Sequence, residues 1–243
     1  MRIVGVIPSR LASTRLARKP LARIAGVPMI RRVYDGARGC TRLSELLVAT
    51  DSEEIRAYCA SEGIPVELTA PEHVSGTDRI REIAARRDAE IFVNVQGDEP
   101  MVTAGHVDAL LAPFFQRPDA VAVSTLAVPL PAERAADPNT VKVVARLDGR
   151  ALYFSRAAVP HDRDGIGAVY RKHLGFYAYR RDALERFSRL PPSPLETAER
   201  LEQLRFLENG LDIHVAAAPA DTWSVDTAED LARVEEFFGR PRR

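Results

Sequence analysis

Cysteine is nearly absent. Cys40 and Cys59 are the only two in 243 residues, with a spacing that fits neither a CxxC pair nor a disulfide framework. They read as buried apolar side chains in a protein of the reducing cytoplasm. A prevailing charge is also missing. Lys plus Arg and Asp plus Glu number 34 each, so no overall field draws the chain to nucleic acid or an anionic membrane, and neither is expected as a partner. No apolar run approaches the roughly 18 residues of a membrane helix, and the opening MRIVGVIP is too short for a signal-peptide core. His73, His106, His161, His173 and His214 form no pair at metal-ligand spacing. GxGxxG, GxxxxGK[ST] and GxSxG are all absent, which excludes a dinucleotide fingerprint, a P-loop and a nucleophile elbow.

What is present is a hydrophobic content of 46%, enough for a substantial core, arranged as strand-length apolar runs alternating with helical periods. Strands are predicted at 3–8, 45–50, 64–69, 91–95 and 120–128. Between them lie helices starting at Pro28 (apolar face Met29, Ile30, Val33, Ala37), after an Asp51–Glu54 capping box, at Thr77, and over 104–115. This βαβ rhythm predicts an α/β fold with a mostly parallel sheet and helices on both faces. The second half changes character. Residues 141–155 read as a hairpin about Asp148-Gly149, 173–180 as a further strand, 193–210 as one helix stopped by Gly210, and 212–218 as a strand. Asp226 reads as the cap of a last helix.

Three segments carry chemistry. The loop after the first strand gathers Arg10, Arg15, Arg18 and Lys19 where open parallel sheets bind ligands. Forked guanidinium donors and a compact ammonium suit a polyphosphate, although a solvated basic loop has the same composition. NVQGDEP (94–100) puts Gln96 and Asp98 just past the fourth strand, as a carboxylate for a hard cation or simply as a turn. SVDTAED (224–230) holds Asp226, for which capping alone is a sufficient explanation.

Taken in order, IPSRLASTRLARKPL, HVSGTDR, NVQGDEP, PNTVKVV, ALYFSRAAVP, RKHLGFYAYR, PSPLETAERLEQLR and VDTAEDL are similar, along nearly the whole chain, to the 3-deoxy-manno-octulosonate cytidylyltransferase (CMP-Kdo synthetase) family. The resemblance implies a single Rossmann-like nucleotidyltransferase domain over 1–243, with an antiparallel dimerisation excursion at about 138–180. It implies transfer of CMP from CTP to Kdo with Mg2+ in the cytoplasm, for lipopolysaccharide, by a homodimer. Another acid sugar (8-amino-Kdo or a sialic acid) and a non-catalytic nucleotide-binding module are the alternatives. By resemblance, Arg10, Arg15 and Lys19 hold the triphosphate; Ser13, Ser75, Gly76, Thr77 and Gln96 line the nucleotide pocket; Asp98 and Asp226 hold the metal. Arg79, Gln96, Arg156, His173, Tyr177, Glu202 and Gln203 match positions around the sugar acid. One departure stands out: Ala17-Arg18 replaces the family's usual Pro-Gly, so an altered KM for CTP or slower pyrophosphate release is expected.

Overall fold

Strand β1 (Ile3–Ser9) is buried along its whole length, as its unbroken apolar run requires. It belongs to a computed structural model that describes residues 1–11, 15–73 and 75–239. The chain divides into one unit of residues 1–107 and 222–243 and a second of 108–221.

In the first unit, β1 is followed by a 3-10 turn at Lys19–Leu21 and a small antiparallel pair, β2 (Arg23–Ile24) and β3 (Val27–Pro28). Helix α1 (Met29–Ala37) then buries Met29, Ile30, Val33 and Ala37, the face that its periodicity predicts. Each large side chain of that face contributes roughly 1.5–3 kcal/mol of burial. Strand β4 (Glu45–Thr50) leads to α2 (Glu53–Ser61). The expected Asp51–Glu54 capping box does not form. Ser52 is the cap, accepting from the Ile55 N–H at 3.3 Å, while Asp51 pairs with Arg79 at 2.6 Å. A guanidinium as buried as that of Arg79 needs a carboxylate more than an exposed helix end does. Strand β5 (Val66–Leu68), helix α3 (Gly76–Ala85) and strand β6 (Ile91–Asn94) follow. The four strands pair in parallel in the order β6, β1, β4, β5, and α1 and α3 both pack against β1 and β4.

Helix α4 (Ala104–Gln116) carries the chain into the second unit. There β7 (Val123–Leu130) starts later than expected, after a turn closed by the Ala120 N–H on the Arg117 carbonyl. Strands β8 (Lys142–Ala145) and β9 (Ala151–Ser155) form the expected hairpin. Its turn uses Gly149 at φ 90°, a conformation that other residues adopt only with strain. Strand β10 (Tyr170–Arg180) runs antiparallel to β7, with a register shift between Leu174 and Tyr177. Helix α5 (Arg181–Phe187) follows.

The single helix expected over 193–210 is two pieces, α6 (Pro194–Glu199) and α7 (Leu204–Glu208). The break is Arg200, at φ 55°. Tertiary bonds overrule helical periodicity here. The Glu199 carboxylate accepts from Ser155 Oγ and the Arg156 N–H, and the Glu199 carbonyl accepts from Arg156 Nε. Strand β11 (Ile213–Ala217) pairs in parallel with β7, and α8 (Ala228–Gly239) returns to the first unit. Cys40 and Cys59 are buried, and among the described residues no disulfide forms. Among the described residues no helix is long and apolar enough to cross a membrane.

Candidate active site

The carboxyl ends of β1 and β6 open onto a cleft of about 390 Å³ in the first unit. Its walls come from five places in the sequence: the end of β1, the loop up to Lys19 and Pro20, the start of α3 with His73 before it, the turn after β6, and Asp226 ahead of α8. Gly97 lets that turn close onto β1. A Cβ there would lie 2.7 Å from the Pro8 carbonyl oxygen and 2.9 Å from Ser9 Oγ. At the start of α3, Ser75 and Asp78 form a reciprocal capping box, which fixes Ser75 and Gly76 at the cleft.

Two distant carboxylates meet here. The Val225 N–H donates to the Asp98 carbonyl at 2.9 Å, so main chain pins the two segments together. Lys19 Nζ then lies 2.8 Å from Asp98 Oδ2 and 3.0 Å from Asp226 Oδ1, and Arg15 reaches the same Asp226 oxygen at 3.1 Å. Burial disfavours the Lys19 ammonium, but Asp98 and Asp226 outweigh it and raise its pKa above the ordinary value. Asp226 is not the cap of α8, contrary to the sequence expectation. Thr227 takes that role: its Oγ1 accepts from the Asp230 N–H at 3.2 Å, and Asp230 Oδ2 accepts from the Thr227 N–H at 3.1 Å. The signal was present in the sequence, since T-x-x-D before an apolar run is itself a capping pattern. With the helix end satisfied by its neighbour, the Asp226 side chain is committed to cations.

Arg10, Gln96 and Arg79 also line the cleft, and Thr77 is buried in the first turn of α3. Ser13 lies outside the described residues. Arg79 is only 3% exposed and donates to Asp51 at 2.6 Å and to Thr69 Oγ1 at 2.6 Å, so structure accounts for much of its bonding capacity. His73, which sequence reasoning left unassigned, also lines the cleft and is held by Glu82 at 2.5 Å. Nothing in its spacing marked it, because its partner is nine residues away across a loop.

The other expected sugar-site residues belong to the second unit. Thr125 Oγ1 is 2.9 Å from His173 Nε2, and the Tyr177 hydroxyl is 3.1 Å from the same nitrogen. Burial, and then Lys172, push the His173 imidazole down to about 3, so it is neutral at physiological pH. Burial, with Tyr179 and Glu202, raises the Tyr177 phenol well above its usual value. Arg156 is tied by Nε to the Glu199 carbonyl at 2.8 Å and by Nη1 to the Pro138 carbonyl at 3.0 Å. Glu202 and Gln203 stand in the turn between α6 and α7 rather than on a continuous polar helix face. Glu199, which organises this corner, was missed because it looks like any surface glutamate of an amphipathic helix.

A family model described as cytidylyltransferase matches residues 4–213. The 3-deoxy-manno-octulosonate cytidylyltransferase of Acidobacterium capsulatum is 56% identical, covering 98% of this chain and 97% of its own. The enzyme of the same name from Koribacter versatilis is 53% identical, covering 98% and 90%. A solved CMP:2-keto-3-deoxy-manno-octonic acid synthetase complexed with CTP superposes with a TM-score of 0.94 at 42% identity, covering 98% of both chains. A glucose-1-phosphate thymidylyltransferase structure from Bacillus anthracis, at 13% identity and a TM-score of 0.69, shares the fold alone. The chain belongs to the cytidylyltransferase family of nucleotidyltransferases, and within it to the 3-deoxy-manno-octulosonate cytidylyltransferases.

Proposed function

We propose that this protein transfers CMP from CTP to 3-deoxy-D-manno-octulosonate, releasing pyrophosphate, and that the product serves lipopolysaccharide synthesis in the cytoplasm. The observation that carries the reading is the Lys19 ammonium held between Asp98 and Asp226, in a cleft that Arg10 and Arg15 also reach. The C2 hydroxyl oxygen of the sugar acid attacks the α-phosphorus, its proton is released to water, and the bond from that phosphorus to the pyrophosphate oxygen breaks as the new P–O bond forms. Arg10, Arg15 and Lys19 bind the triphosphate and offset the charge that builds on the leaving pyrophosphate. Ser75, Gly76, Thr77 and Gln96 form the nucleotide pocket, and the family resemblance adds Ser13, which lies outside the described residues. Arg156, with a forked guanidinium, suits the sugar carboxylate. In the second unit, His173 and Tyr177, both neutral, and Glu202 and Gln203 suit contacts to sugar hydroxyls; in the first unit, Arg79 and Gln96 suit the same role.

Asp98 and Asp226 fit a divalent ion. Both present a carboxylate oxygen to a single nitrogen at about hydrogen-bond distance. Among the described residues no larger cluster of metal-binding side chains accompanies them, which suits Mg2+, an ion that takes one or two carboxylates and completes its shell from phosphates and water. When bound there, Mg2+ supplies Lewis-acid polarisation of the α-phosphate and of the attacking hydroxyl.

Pyrophosphate release from CTP and Mg2+ across a panel of acid sugars tests the reading. Kdo should dominate. Preference for 8-amino-Kdo or a sialic acid would replace the substrate, and CTP binding without release with any sugar would make the protein a binding module. A homodimer formed through the antiparallel excursion is part of the same proposal. It is supported by Leu147, Leu152, Ile166 and Val169, four large apolar side chains left exposed on that stretch.

A further inference from the structure

Lys19 does more than its phosphate role requires. Its side chain is only 17% exposed, and its ammonium occupies the position where the oxygens of Asp98 and Asp226 converge. Arg15 adds a second cation on the Asp226 oxygen. The carboxylate pair is therefore already neutralised by the chain itself. A dication loading there has to displace the ammonium. That would leave Lys19 largely desolvated, short of its two acceptors and beside a centre of the same sign. Arg15 would lose its partner at the same moment.

We propose that Lys19 is the resident counter-ion of the metal site and makes divalent-cation binding conditional on nucleotide. This rests on reading the cleft as the triphosphate and metal site. The triphosphate of the incoming substrate reverses the balance. It brings enough negative charge to accept the displaced ammonium and the Arg15 guanidinium together. Lysine suits the exchange: three donors on a flexible stem re-aim without a fixed fork geometry. Metal and nucleotide then bind with positive coupling, and the coupling is reciprocal, so each tightens the other. The free protein keeps its catalytic carboxylates closed to stray cations until substrate arrives.

Mn2+ titration followed by electron paramagnetic resonance tests this without turnover. The species are wild type alone, wild type saturated with an α,β-methylene analogue of CTP, Lys19→Met alone and Asp98→Asn with the analogue; Lys19→Gln replaces the methionine variant if that fails to fold. Wild type alone should bind Mn2+ at least tenfold more weakly than with the analogue. Lys19→Met alone should bind it at least tenfold more tightly than wild type alone. Equal Mn2+ affinity of the two nucleotide-free proteins overturns the counter-ion role, whatever the analogue does. Failure is separable from that of the functional reading. A wild type that releases pyrophosphate yet binds Mn2+ equally with and without the analogue loses only the coupling. Undiminished Mn2+ binding by Asp98→Asn with the analogue overturns the metal assignment beneath it.

Discussion

Asp226 and Thr227 are adjacent, and the structure assigns them different work. Thr227 satisfies the start of α8, and Asp226 faces Lys19 and Arg15. Thr227→Ala should therefore cost about 1 kcal/mol of stability, lowering Tm by about 2–4 °C in a protein of this size, with kcat little changed. Asp226→Asn should act mainly on the chemistry: losing the charge that faces Lys19 and Arg15 should cost roughly 1–2 kcal/mol of stability, while pyrophosphate release falls by about a hundredfold or more. Calorimetry and a pyrophosphate assay on both variants check the pair, and pyrophosphate release near wild type in Asp226→Asn would remove that residue from the reaction. His173 carries a pH prediction. Unfolded, its imidazole takes a proton near the ordinary 6.5; folded, only at about 3. Between those values the unfolded chain binds more protons, so stability falls as pH drops through that window. Urea titrations of wild type and His173→Gln from pH 7 to 3 should show the smaller pH slope in the variant.

At the scale of elements, the two departures from helical and loop expectation fall where the backbone turns left-handed. Arg200 at φ 55° breaks the predicted 193–210 helix, and Arg18 at φ 54° precedes the Lys19–Leu21 turn. Arg18 is where the family pattern places glycine, and its side chain pairs with Glu54 on the surface. An exposed pair contributes at most about 1 kcal/mol, and relieving a left-handed non-glycine residue returns a similar amount. Arg18→Gly should therefore leave Tm within a few degrees of wild type, while the KM for CTP shifts because a cation leaves the triphosphate loop. Unchanged KM would show that this cation does not bear on nucleotide binding. At the other break, the Glu199 carboxylate holds Ser155 and the Arg156 main chain. Glu199→Gln keeps the shape and loses the charge, so it should raise the KM for the sugar acid several-fold more than that for CTP. Equal effects on both would remove the positioning role assigned to Glu199.

For the whole molecule, the apolar side chains exposed on the antiparallel excursion set a prediction about assembly. Small-angle scattering at micromolar concentration should give a dimer, and Leu152→Glu, on a strand that among the described residues pairs only with β8, should weaken it. A wild-type monomer would contradict this. Much of the molecule was already legible in the sequence. The buried runs of β1, β4 and β6, the apolar face of α1 and the hairpin at Asp148-Gly149 follow from local pattern, because period, turn chemistry and burial act over a few residues. So did the cation-rich loop as a candidate, and the matching of Asp98 with Asp226 by family resemblance. Only tertiary structure decided that the main chain at Val225 and Asp98 joins those carboxylates around one ammonium, that Thr227 releases Asp226 from capping, and that Arg79 takes Asp51 away from α2. The physical reason is common to all three. A polar side chain chooses among partners by charge and burial, and the stronger partner comes from a segment far along the chain that no local period can see.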